Sequence, residues 1–474
     1  MKADPSAFRS RRRFLGETGC AALSSLPMLN TLLNLQLSGS IAQASTPGAS
    51  EYRAIVCLFL TGGMDSFNML TPRDNTGYAE YFAERGSTIS LPQASLLPIT
   101  PLSTDAQGRS FGLHPGMPEI QTLFQAGHAA FVANVGTLVQ PTTLTTYNNG
   151  AATLPVGLFS HSDQEEQWQS STPDHRSGIG WAGRMADLIH SINTNNVVSM
   201  NVSLDGANVW QTGNNVFEYA ITQDGATALN NYTEKWQTES GTVQRRSAGV
   251  DGLLALQYQN LLQSSYAQSE RSALDAFDQF SQATSPALPN GATFPSTTLA
   301  QQLEMVVKTI NGRSALGMTR QTFFLQNPGW DHHDDVIGNM SAMVPVISQA
   351  ISAFYNALTL IGMQNQVTLF LVSDFGRTLT SNGKGTDHAW GGNMLVVGGS
   401  VAGQRIYGQY PSLYNNNPLD VGRGRLIPTT SVDQYFAELA LWLGVSPASL
   451  PLVLPNISRF YDINSGVSPV GFLP

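Results

Sequence analysis

The chain has 474 residues, of which 42% are hydrophobic and only 12% charged, and its formal charge is −9. That length and apolar content allow one large α/β domain with insertions. No basic run occurs beyond the N-terminus, which argues against nucleic acid as a partner, while an anionic substrate stays open because a bound metal reverses the local field.

In chain order, residues 1–44 stand apart. "SRRRFLG" places Arg11 and Arg12 before Phe14 and Leu15, a moderately apolar stretch follows, and "AQA" closes it at Ala42–Ala44. This order reads as a twin-arginine export signal cleaved after Ala44. The export machinery is then a partner, and the periplasm or the exterior the destination. Asn30, Asn34 and Gln36 leave no run of about 18 apolar residues, and no membrane span is expected in the mature chain. Such export carries folded cargo, which suits a protein that acquires its cofactor first. Cleavage lowers the charge to −12, because five basic and two acidic residues leave. It also leaves Cys57 alone in an apolar run, a buried thiol with no disulfide partner.

Residues 45–474 read as a single domain. "YRAIVCLFLTGG" at 52–63 is a continuous apolar run ended by glycines, the pattern of a strand buried on both faces. "PEIQTLFQAGH" reads as a helix, and "AAFVANVG" at 129–136 as a second buried strand. Further strands are expected at 197–204, 321–326, 366–376 and 393–399, with helices at 181–192, 251–283, 297–312, 334–363 and 431–443. The alternation predicts a three-layer α/β fold around a largely parallel sheet, with chemistry at the strand ends. Residues 137–180 and 205–300 read as insertions or mobile surface, the second as a helical cover.

Three segments end an apolar strand in ligand-type side chains: "FFLQNPGWDHHDD" (Asp331, His332, His333), "LFLVSDFGRT" (Asp374, Arg377) and "GKGTDHAWGG" (Asp387, His388). A divalent metal with nitrogen and oxygen ligands needs three or four such groups from different elements. Asp331 and His333 project to the same side of an extended chain, and His332 points away. Each segment also has a plainer reading. Asp334 and Asp335 open a helix whose dipole favours acids, "SDFGRT" fits a strand-end turn, and "DH" alone means little. Their recurrence at successive strand ends favours the metal. "DFG" lacks the other kinase motifs, "GKGT" lacks P-loop spacing, and no G-x-S-x-G elbow occurs.

"LFLTGGMDSFN", "LHPGMPEI", "FSHSDQEEQW", "GWAGR", "GWDHH", "SDFGRT" and "DHAWGG", in this order behind the signal, resemble a large family of twin-arginine-exported, mostly uncharacterised bacterial proteins. That family is similar in fold to the alkaline phosphatase and sulfatase superfamily. The resemblance implies a metal-assisted hydrolase of phosphate or sulfate esters, with divalent cations flanking a nucleophile at a helix N-terminus. Zinc is the expected ion, with manganese or calcium as alternatives. It implies Asp331, His333 and His388 as ligands of one metal, with Asp387 counted beside them. Asp65 and Asp374 would serve a second, although Phe375 stands where that site's histidine belongs.

Asp65 also reads as a turn cap. Ser160 is the expected nucleophile, with Ser66 as runner-up, and Ser160 also reads as a helix cap. His161 replaces the missing ligand or acts as general acid. Arg377 would clamp the ester oxygens, or sit in a surface ion pair. No C/S-x-P-x-R motif occurs, which sets aside aldehyde-forming sulfatases. The rival reading is a non-catalytic exported binding or envelope-assembly protein on the same fold.

Overall fold

The computed structural model describes residues 51–103, 105–195, 197–230, 232 and 241–474, so the expected signal segment lies outside the described residues. The strands are β1 (Arg53–Leu60), β2 (Leu70–Pro72), β3 (Leu97–Ile99), β4 (Phe111–Leu113), β5 (Ala129–Gly136), β6 (Asn201–Ser203), β7 (Tyr219–Ala220), β8 (Arg320–Gln326), β9 (Val367–Ser373), β10 (Gly392–Val397), β11 (Ile406–Tyr407) and β12 (Thr430–Ser431). Nine of them form one sheet in the order β11-β5-β10-β9-β1-β8-β6-β7, with β12 also on β5. β1 runs parallel to β8 and β9, and Ala54 to Leu60 are all buried, as a strand covered on both faces requires.

β10 is the exception, antiparallel to both β5 and β9. The chain leaves β9 at Asp374 and doubles back through an Arg377–His388 bridge, and so short a return cannot reverse direction again. His388, at the start of β10, therefore lies at the same sheet edge as the ends of β8 and β9.

Helices cover the sheet. Thr298–Asn311 and Pro118–Gln125 pack against the long helix Val336–Leu360, and Trp181–Ile189 and Val432–Leu443 meet β6 and β1. Val336–Leu360 is long and apolar enough to cross a membrane by length and composition. Its buried stripe of Met340, Val344, Ile347, Ile351, Phe354 and Leu358 keeps helical spacing, and it serves here as a core helix. Asp335 caps it by accepting from the Gly338 N–H at 3.3 Å, so the acidic pair does open a helix. Trp181 stacks on Phe436 at 4.6 Å and meets Trp210 edge-on at 5.4 Å, forming an aromatic core layer.

Three departures from the sequence reading have local causes. The helix expected at 251–283 is two, Thr242–Leu254 and Leu261–Thr284. Asn260 accepts from the Leu262 and Gln263 N–H groups and starts the second afresh. The strand at 197–204 shrinks to β6. A second sheet, β2-β4-β3, is built of three-residue pieces too short to show a period.

Asp433, in the first turn of Val432–Leu443, is fully buried. Ser171 Oγ donates to one carboxylate oxygen at 3.2 Å, and the other has no partner. Burial pushes its carboxyl up to about 7, against the opposing pull of Ser171, Arg184 and Arg459. A raised carboxyl binds more protons folded than unfolded, so stability falls as pH rises from about 4 to about 7 and then levels. Asp433→Asn should flatten that slope in denaturant titrations at pH 5 and pH 8. An unchanged slope would remove Asp433 as its cause.

Candidate metal centre

The site forms where β1, β8 and β9 end and β10 begins. Gly62, just past β1, has φ +118°, and a Cβ there would lie 2.5 Å from the Asp331 nitrogen. Only glycine lets the two loops approach this closely. The Gly62 N–H then donates to both oxygens of Asp374, at 3.0 and 3.1 Å. The next segment is the helix His161–Ser170, which enters from the stretch read as mobile surface and buries Gln164, Gln167 and Trp168. Trp168 Nε1 donates to the Asp374 carbonyl at 2.9 Å and pins the helix to the end of β9.

Three imidazoles surround Asp331, each tied at Nδ1. His333 Nδ1 meets Asp387 Oδ1 at 3.1 Å, His388 Nδ1 meets the Phe159 carbonyl at 2.8 Å, and His161 Nδ1 meets Asp374 Oδ2 at 2.7 Å. Carboxylates and carbonyls only accept, so each Nδ1 carries the proton and each Nε2 is left as a donor atom for a metal. His333 Nε2 lies 3.0 Å from His388 Nε2 and 3.0 Å from Asp331 Oδ1, and His388 Nε2 lies 3.4 Å from the same oxygen. A tetrahedral ion with bonds of about 2.0–2.1 Å has edges of about 3.3–3.4 Å. The triangle is close to one face of that tetrahedron. His161, Asp331 and His388 likewise offer ligand atoms within 4.8 Å of one another. With neutral rings these atoms present only lone pairs to each other, a repulsion that a bound cation would relieve. The donor set fits a divalent metal with nitrogen and oxygen ligands.

The electrostatics agree for Asp331 and His388. For Asp331, burial opposes ionisation, but the Arg377 hydrogen bond and charge outweigh it and hold the carboxyl below its ordinary value. Burial lowers His388, and the Arg377 charge adds to this against the Phe159 carbonyl, which favours the neutral, ligating ring. His161 moves the other way, chiefly because it bonds the Asp374 carboxylate.

The remaining expected residues take other places. Asp387 stands behind His333, held by Asn382 and Arg423 as well. Arg377 is fully buried and bonds the carbonyls of Gly62, Gly63, Trp330 and Thr386 and the Asp331 carboxylate. Its donors are spent on the scaffold, which corrects its expected role as an ester clamp and equally the surface ion pair. Asp65 does not join the cluster. It is buried and paired with the Arg85 guanidinium. Ser66 is also buried, with Oγ accepting from the Asn393 N–H at 2.9 Å. Ser160 is half-buried at the N-cap, its hydroxyl bonding to Asp163 and lying 3.3 Å from Ser162 Oγ. His332 is buried, with the Gly329 backbone beside its ring.

Two contributors escaped the sequence reading. Phe159, at φ 73°, holds a left-handed conformation that aims its carbonyl at His388, under the Arg425 guanidinium 5.2 Å from its ring. No residue-type signal marks such a carbonyl. Glu165 sits one turn after His161, and burial together with the Asp374 charge raises its carboxyl. Its spacing of four from His161 was the available clue.

Solved structures similar to the chain include a lipoteichoic acid synthase, LtaP, from Listeria monocytogenes (7% identity over 84% of this chain and 73% of that one, TM-score 0.32). The PsFucS1 sulfatase from Pseudoalteromonas sp. is another (10%, 88% and 72%, TM-score 0.30), as is a variant of the alkaline phosphatase PafA (14%, 70% and 64%, TM-score 0.26). No curated protein matches the chain. The family described as "Protein of unknown function (DUF1501)" matches across residues 52–429, and the chain belongs to that family.

Proposed function

We propose that this protein is an exported, metal-dependent hydrolase of phosphate or sulfate esters, carried by the twin-arginine machinery to the periplasm or beyond. The observation that carries the reading is the convergence of Nδ1-anchored imidazoles on Asp331. A divalent cation held by Asp331, His333 and His388 would polarise the ester's phosphoryl or sulfuryl oxygen. Ser160, at a helix N-terminus that favours anions, would be the attacking hydroxyl. Glu165, one turn after His161, would act as the general acid that protonates the leaving oxygen. Asp374 and Asp387 hold His161 and His333 in orientation.

The test is metal content by elemental mass spectrometry on protein purified without chelator. It is paired with turnover of chromogenic phosphate and sulfate esters. Wild type should carry metal, and His333→Ala and His388→Ala should lose it together with turnover. Ser160→Ala should keep the metal and lose turnover on the order of 10³-fold or more. Folded wild type that takes up no zinc, manganese or calcium would sink the reading. Replacing Arg11 and Arg12 by lysine should hold the precursor in the cytoplasm on cell fractionation, and unchanged export would refute the route.

One observation favours the rival reading of a non-catalytic binding or envelope-assembly protein. Phe375 puts an apolar ring, 1% exposed, where the resemblance expects a ligand. Bound metal without turnover of any ester would place that reading first.

A further inference from the structure

We infer that the centre takes one cation rather than two and that His161 is its fourth protein ligand, an inference that rests on the metal-dependent reading above. Two features close the place where the resemblance puts a second ion. Asp65 is buried, with one carboxylate oxygen bonded to the Arg85 guanidinium, so a fixed positive charge already neutralises the carboxylate a second cation would need. Phe375 fills the neighbouring space, its ring 4.8 Å from that of His161 and 4.7 Å from that of His388, and an aromatic face offers a divalent ion no lone pair. Asp374 is also committed, accepting from the Gly62 N–H with both oxygens and from His161 with one.

The same side chains turn His161 toward the first ion. Asp374 holds its Nδ1 and Phe375 backs its ring, so Nε2 faces inward. That nitrogen is buried without a hydrogen-bond partner and lies 3.5 Å from Asp331 Oδ2. The separation is close to the roughly 3.4 Å edge of a tetrahedral zinc site. His161, Asp331 and His388 offer ligand atoms within 4.8 Å of one another, and His161 approaches Asp331 through Oδ2 while His333 and His388 approach Oδ1. A water or ester oxygen would have access from the side where Asp331 and His333 are 45% and 44% exposed.

The test uses the mature protein loaded with cobalt(II), reading stoichiometry by elemental mass spectrometry and geometry from the visible absorption band. Wild type should bind one equivalent with the strong absorption of a four-ligand site. His161→Ala should keep about one equivalent, bind it at least 10-fold more weakly and shift that band. Asp374→Asn, which frees the His161 ring, should weaken binding about 10–100-fold. Circular dichroism on each variant separates ligand loss from misfolding. Two equivalents in wild type, or an unchanged band in folded His161→Ala, would overturn the inference and leave the hydrolase reading standing. No bound metal at all would overturn both.

Discussion

Asp331→Asn is expected to weaken metal affinity at least 100-fold and to abolish metal-dependent turnover. Removing an outer partner of a ligating histidine typically costs 10–100-fold, and a central ligand should cost more. Asp331 faces all three imidazoles, at 3.0, 3.4 and 3.5 Å. Asparagine keeps the shape and an acceptor oxygen but removes the charge that draws both the cation and the Arg377 guanidinium. The measurement is competition against a metal-binding dye, with thermal melts beside it. Affinity within about threefold of wild type would show that the ion sits elsewhere.

The second large effect is on stability. Arg377→Met should destabilise the fold by about 3 kcal/mol or more, the scale for breaking a buried charge pair. The low end of that range applies because Asp331 is half exposed and the lost partner is partly replaced by water. The cost has a second source, since the carbonyls of Gly62, Gly63, Trp330 and Thr386 all lose a donor. The observable is the midpoint of urea unfolding, read with metal present and absent. An arginine that clamped substrate would behave oppositely, raising KM while leaving the midpoint in place. A wild-type midpoint in Arg377→Met would therefore refute the scaffold role.

The contrast between these residues shows what could be read from the chain alone. β1, β5, β8, β9 and β10 were legible because a strand buried on both faces must be apolar throughout, and such runs end at glycine or at the first polar residue. The ligand-type residues were legible for the complementary reason. Asp331, His333, Asp374 and His388 follow or precede those runs at one sheet edge, and a chain with so few charged residues has little other use for them there.

Which atom each side chain offers, and to what, was decided only by the tertiary structure. Asp65 and Asp374 both follow apolar strands with a carboxylate, yet one is spent on Arg85 and the other on Gly62 and His161. The difference lies in an arginine twenty residues along the chain and a histidine more than two hundred residues away. Arg377 reads in sequence as an ester clamp or a surface ion pair, and burial among backbone carbonyls makes it a strut. The Phe159 carbonyl has no sequence signature at all, because every residue carries one and only a left-handed φ aims it. Composition and periodicity determine which surfaces must be buried, which sets the strands and the edge where polar groups collect. Pairing among those polar groups depends on distances of a few ångströms between segments far apart in sequence, and those distances exist only once the chain has packed.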